Sequence, residues 1–163
     1  MSPAASSPNL FQRLVMKMAA SAWFRKVGPK VVPPMDRFIA KVSGGRYTMS
    51  GVYLPTLLLT TTGAKSGEAR TSPLAFLPDG ERKYVVGSNF GQAHHPAWTG
   101  NLLKTPAAEI EYRGKRQKVT ARMLDAQEKA QVWPKLLAMY PNYDKYVESS
   151  GGRDIRVFVL EKA

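Results

Sequence analysis

"PTLLLTTTGAKSGEARTSPLAFLPDG", residues 55–80, decides how this chain folds. Aliphatic and β-branched residues fill Thr56–Thr62 and return from Arg70 to Leu77, with a short glycine-bearing polar stretch between them. That pattern predicts two strands flanking a loop. Asp79-Gly80 then predicts a hairpin turn into a third strand, "KYVVGSN" (83–89). Downstream, "AEIEYRGKRQKVTARML" (108–124) predicts a hairpin around Gly114, and "RDIRVFVLEK" (153–162) a final strand. Six strands joined mainly by hairpins, with helices at the ends, argue against a doubly wound parallel sheet. They predict a mainly β fold: a small antiparallel barrel with helical additions. No dinucleotide-binding glycine fingerprint is present.

The helical additions follow from periodicity and capping. "PAWTGNLLKTP" (96–106) predicts a short helix with Pro96 at its first position and Pro106 as a stop. "DAQEKAQVWPKLLAMY" (125–140) opens with Asp125 and, three residues later, Glu128, the pattern of a capping box. "PNYDKYVESSGG" (141–152) predicts a further helical turn. At the N-terminus, residues 1–9 are small, polar and proline-bearing, and are expected to be a disordered tail. Leu10, Phe11, Leu14, Val15, Met18 and Ala22 then fall along one helical stripe, with Arg13 and Lys17 on another face. A helix covering the barrel is the first expectation for this stripe; docking on a membrane or a partner is the alternative. "VGPKVVPPM" (27–35) is expected to be a linker and "DRFIAKVSGG" (36–45) a short helix closed by glycines. The expected division is a tail over 1–9, an amphipathic helical segment over 10–45 and one barrel domain over 46–163.

Composition narrows the function. The chain has no cysteine, which removes disulfides and thiolate metal sites and fits a reducing cytoplasm. Its two histidines, His94 and His95, are adjacent and have no carboxylate at ligand spacing, so no metal centre is expected. Lys17 interrupts the early apolar run, against a signal peptide, and no stretch reaches transmembrane length. The formal charge is +12, and residues 1–50 hold eight basic residues against one acidic. Such a field favours an anionic partner: nucleic acid, an anionic membrane surface or an acidic small molecule. The aromatics are not interleaved with lysines as a nucleic-acid strip requires, so no nucleic-acid partner is expected.

The loop after the first strand is not a nucleotide-binding P-loop, because Ala64 rather than glycine precedes Lys65. Lys65, Ser66 and Arg70 around Gly67 suit a phosphate or a carboxylate, although a solvated hairpin tip has the same composition. Ser88 and Asn89 fall at a strand end, followed by a glycine loop and the helix of Trp98 and Asn101, which share a face. An indole beside an amide can pack on a flat heterocycle and hydrogen-bond its polar edge. Tyr140, Tyr143 and Tyr146 recur every third residue and can wall a pocket. For each aromatic, ordinary core packing is the competing reading.

Three strings together resemble one family. "LLLTTTGAKSGEARTSPLAF" (57–76), "HPAWTGNLLKTP" (95–106) and "WPKLLAMYPNYDKY" (133–146) are similar, in order and spacing, to the deazaflavin-dependent nitroreductases. That resemblance implies a split β-barrel using coenzyme F420 and passing a hydride to a quinone, an activated alkene (enone) or a nitro compound. It implies that Lys65 and Arg70 meet the cofactor's phosphate and oligoglutamate tail, aided by the amides around Ala64–Gly67. Ser72 and Val86, Gly87, Ser88 and Asn89 would line the phosphate and ribityl side, and Ala97, Trp98 and Asn101 would border the deazaflavin. Tyr143 would face the acceptor as a proton or hydrogen-bond donor, with Ala75, Tyr140 and Tyr146 lining that pocket. Asn89 stands where relatives often carry lysine, removing one anion contact, and Ala75 where some carry tyrosine, opening the acceptor pocket. The alternatives are an FMN-dependent split-barrel oxidoreductase and a non-catalytic quinone- or lipid-binding membrane protein. The expected location is cytoplasmic, with the N-terminal helix reaching the inner face of the cell membrane, and split barrels of this kind often pair as homodimers.

Overall fold

In the computed structural model, which describes residues 9–163, six antiparallel strands close into a barrel. They are β1 (Thr56–Thr62), β2 (Ala69–Asp79), β3 (Arg82–Val86), β4 (Ala107–Tyr112), β5 (Lys115–Met123) and β6 (Val157–Lys162). The order around the barrel is β1-β2-β3-β6-β5-β4, and β4 pairs back onto β1 through Leu59↔Ile110. Pairing of Thr56 with Ala75 and of Thr62 with Ala69 sets the first hairpin. The second turn lies one residue later than the sequence suggests: Asp79 pairs with Arg82, so Gly80 and Glu81 form the loop, with Gly80 at φ +61°. The β4–β5 turn is Arg113-Gly114, both left-handed at φ 52° and 75°, as a two-residue hairpin of this twist requires.

Period-two alternation divides the apolar residues between two cores. Leu57 and Leu59 of β1, Phe76, Val85, Ile110, Val119, Phe158 and Leu160 fill the barrel interior, with Trp98 and Leu102 as its plug. The alternate residues of β3 and β6, among them Tyr84, Val86, Val157 and Val159, face outward under a helical layer. That layer is α4 (Ala126–Met139) and α5 (Asn142–Ser149); α3 (Ala97–Lys104) carries the plug. Two-sided burial explains the unbroken apolar run of β6, each such side chain contributing about 1.5–3 kcal/mol. The Asp125–Glu128 capping box forms as expected, whereas Pro96 sits at the N-cap of α3, one place before its first residue.

The N-terminal segment differs most from the expectation. The tail expected over residues 1–9 lies outside the described residues except for Asn9, which caps α1 (Leu10–Ala19) in a reciprocal box with Gln12. The expected linker does not exist: residues 27–35 lie inside α2 (Ala22–Val42), which runs through Pro29, Pro33 and Pro34. Each proline forfeits a helix hydrogen bond, but Gly28, Val32, Asp36 and Ala40 recur every fourth residue and are all buried. Tertiary burial of that face holds the helix together. The apolar stripe of α1 does not cover the barrel, for Leu10, Phe11, Leu14 and Met18 are all more than half exposed. Instead α1 is tethered through its backbone, by Asn142 Nδ2 donating to Met16 O (2.7 Å) and Tyr146 Oη to Ala19 O (3.4 Å).

Asp36 anchors the connection from α2 to β1. The residue is 1% exposed, and its carboxylate accepts from Ser50 N (2.9 Å) and Ser50 Oγ (2.5 Å), holding the 3₁₀ turn Ser50–Val52 that leads to Tyr53 and Leu54. Truncation would leave two buried donors unpaired, at about 2–3 kcal/mol. Urea denaturation of Asp36→Ala is expected to show a loss of that size, and an unchanged midpoint would contradict the anchoring role.

Candidate active site

A cavity of about 460 Å³ opens on the outside of the barrel, bounded by α2, α5, β2 and the segment from β3 to α3. Its size and mixed lining are those of a cofactor or substrate site. Of the residues singled out from the sequence, Ser72, Ala75, Val86, Ser88, Asn89, Ala97, Trp98, Tyr140, Tyr143 and Tyr146 line it. Sequence reasoning missed the contribution of α2, which brings Val32, Pro33, Asp36 and Arg37 to the wall together with Tyr53. The signal was the four-residue spacing of the buried α2 positions, hidden by the prolines.

The three tyrosines share a wall but not a role. Tyr140 Oη and Tyr146 Oη are 3.0 Å apart, Asn142 Nδ2 donates to Tyr140 Oη (3.2 Å), and Tyr146 continues to the α1 backbone. These two hydroxyls are committed to the scaffold. Tyr143 packs edge-on against Tyr140, ring centroids 5.1 Å apart, and it lines the cavity with no hydrogen bond from its hydroxyl to a described residue. Burial raises the pKa of all three phenols, so Tyr143 remains a protonated donor at neutral pH.

The segment between β3 and α3 has an unusual backbone. Ser88 is right-handed helical, while Asn89 (φ 47°), Phe90 (φ 54°) and Gly91 (φ 75°) are left-handed in succession. For a bulky residue such as Phe90 this costs on the order of 1–2 kcal/mol. Packing of Phe90 near Phe24 and Tyr146 helps hold it, with ring centroids 6.2 and 6.4 Å away. Asn89 Nδ2 donates to His94 O within the same loop (3.0 Å). Gly87 does not line the cavity; a side chain there would meet Thr99 Cγ2 at 2.8 Å, so glycine is what lets the end of β3 approach α3. His95 has a lowered pKa through burial first and then the neighbouring Arg156 and Arg153, so it is neutral.

The cationic hairpin lies outside the cavity wall but is stapled to it. Asn101 does not line the cavity; it is buried, donates through Nδ2 to Thr61 Oγ1 (3.0 Å) and accepts at Oδ1 from Ala64 N (2.9 Å). Lys104 Nζ adds a bond to Ala64 O (2.6 Å). The helix that carries Trp98 therefore also fixes the turn that carries Lys65. Within that turn the amide of Gly67 donates to Gly63 O, and Ser66 Oγ accepts from Glu68 N. Both Ala64 and Gly67 amides are thus used internally. Arg70 pairs with Glu68 at 2.8 Å, both side chains well exposed. Trp98 is 5% exposed and packs near Phe158, so its indole serves the barrel core and the cavity border at once. No group of residues among those described is arranged to hold a metal.

Comparison with known proteins matches this architecture. A family model described as F420H(2)-dependent quinone reductase matches residues 36–162. An F420H(2)-dependent quinone reductase of Mycobacterium tuberculosis is 34% identical over 110 residues, covering 66% of this chain and 74% of the relative. A solved F420-H2 dependent reductase superposes with a TM-score of 0.60 at 34% identity, covering 66% of this chain and 94% of its own. Another solved structure, described as a domain-swapped dimer, superposes with a TM-score of 0.62 at 30% identity over 77% of this chain and 95% of its own. A closed six-stranded barrel carrying this cavity, with sequence identity at that level over most of the barrel, places the chain in the F420H(2)-dependent quinone reductase family.

Proposed function

We propose that the cavity bordered by Trp98 and Tyr143 is where this oxidoreductase brings reduced coenzyme F420, the cofactor of its family, against a quinone. The staple at Asn101 carries the reading: it holds a lysine-bearing turn on the helix that presents the indole, so one long anionic molecule can reach both. The residues fit such a cofactor. Trp98 and Ala97 offer an apolar border for a flat ring, Ser72, Val86, Ser88 and Asn89 line the adjoining wall, and Lys65 and Arg70 lie beyond, suited to phosphate or carboxylates. When bound, reduced F420 supplies the hydride. The chain's own part is to exclude water, fix orientation and supply a proton donor. Tyr143 is placed for the last role, since its free, protonated hydroxyl can donate to an acceptor oxygen that gains negative charge. Ala75 leaves room beside it, and activated alkenes and nitro compounds are further acceptors that such a pocket would take.

Fluorescence titration tests the cofactor assignment. F420 is expected to bind, and FMN, which has a phosphate but no polyacidic tail, to bind more weakly. Lys65→Ala and Arg70→Ala should each weaken F420 by about three- to tenfold, with further weakening in salt. Tighter binding of FMN than of F420 would favour the flavin alternative. For Tyr143→Phe, quinone turnover is expected to fall on the order of 10²-fold with cofactor affinity nearly unchanged; undiminished turnover would remove the tyrosine from the mechanism.

The same reading extends to where the acceptor resides. Leu10, Phe11, Leu14, Met18 and Trp23 are exposed, and residues 1–50 hold eight basic residues against one acidic, Asp36, which is buried. No described helix is long and apolar enough to cross a membrane. An apolar stripe beside cations suits an anionic bilayer surface, from which a lipid-soluble quinone would be drawn. Self-pairing is the assembly to look for, given the relative described as a domain-swapped dimer. Sedimentation with anionic vesicles should carry down the wild-type chain and leave Phe11→Glu/Leu14→Glu in solution; equal partition of the two would count against membrane docking.

A further inference from the structure

Arg153 lies in the loop before β6, and it turns its guanidinium on a segment far away in sequence, the loop from Gly87 to His95. Nη1 donates to Gly87 O (2.9 Å), Nη2 to Ser88 O (2.7 Å) and Nε to Gln92 O (3.1 Å), while Nη1 also lies 3.1 Å from His95 Nδ1. One side chain grips both ends of the left-handed turn.

Peptide planarity turns this grip into a statement about the cavity. In a trans peptide the N–H points opposite to the C=O of the preceding residue. With Gly87 O and Ser88 O drawn to Arg153, the N–H groups of Ser88 and Asn89 point away from it. Both residues line the cavity. No hydrogen bond among the described residues takes the amides of Ser88, Asn89 or Phe90. Successive right- and left-handed residues, as at Ser88 and Asn89, make their amides converge on one point, a shape that accepts anions. The guanidinium acts on His95 as well. A permanent cation can only donate, so Nδ1 accepts and the ring proton resides on Nε2, which is left free to donate. His95 also lines the cavity.

We propose that Arg153 is a positioning residue for the phosphate-bearing part of the cofactor. It touches no ligand itself; it pre-sets the Ser88 and Asn89 amides and the His95 tautomer that do. The inference rests on the assignment of this cavity to F420. It also gives the Asn89 position a use without a cationic side chain: the backbone of Asn89 serves the anion, while its side chain closes the loop on His94 O. Arginine is needed because four acceptors in different directions exceed the three donors of a lysine on a single atom.

The test compares two ligands on the full chain by fluorescence titration: F420, and the deazaflavin riboside that lacks phosphate and tail. Arg153→Gln is expected to weaken F420 by about tenfold or more and the riboside by no more than about twofold, with Arg153→Lys in between. Equal weakening of both ligands, or of neither, overturns the inference while leaving the cofactor assignment standing. Failure of the wild-type chain to bind either ligand overturns the assignment, and the inference with it. Should Arg153→Gln not fold, amide exchange on the wild-type chain decides: F420 should slow exchange at Ser88 and Asn89 and the riboside should not, and equal protection by both overturns the proposal.

Discussion

Burial of β3 and β6 on both faces is the constraint from which the rest of the structure follows. These neighbouring strands give one set of side chains to the barrel interior and the alternate set to the helical layer outside. The outer set forms much of the apolar surface on which α4 and α5 pack, and it puts the tyrosine wall beside Val86. The cavity is a by-product of this arrangement. It occupies the place where the outer layer gives way to α2 and to the loop that leaves β3.

Three polar side chains, Asp36 and Asn101 buried and Arg153 half-buried, then fix the parts that apolar packing leaves loose. Asp36 holds the connection into β1, Asn101 the cationic turn after it, and Arg153 the loop beyond β3. Each satisfies backbone groups that are otherwise costly to bury. Each is also directional, which apolar contact is not, so each sets the orientation of the segment it holds. Hydride transfer needs little of the protein beyond orientation, exclusion of water and one placed donor.

The exposed stripe of α1 stands apart from those supports. That stripe is not part of either core, yet Asn142 and Tyr146 bond the backbone of α1 directly to the cavity wall. The segment that is least necessary to the barrel is thus mechanically joined to the tyrosines. The backbone of α1 and the tyrosine wall of the cavity are connected by two hydrogen bonds.

The strands, their hairpins to within one residue and the capping box at Asp125 were determined by the sequence by itself. Alternation, turn residues and N-caps act over a few residues, so their physics is complete within a short window. The cavity residues at Ser88, Trp98 and Tyr143 were legible as well, because the resemblance preserved their order and spacing. Only the tertiary structure decided that α2 passes through three prolines, since burial of Gly28, Val32, Asp36 and Ala40 outweighs a local preference to break. It alone separated Tyr143 from Tyr140 and Tyr146, whose hydroxyls are bound elsewhere. It alone revealed Arg153, whose partners lie 58 to 66 residues away. No local pattern encodes a contact at that separation, because it exists only after the barrel has closed and brought the start of β6 against the end of β3.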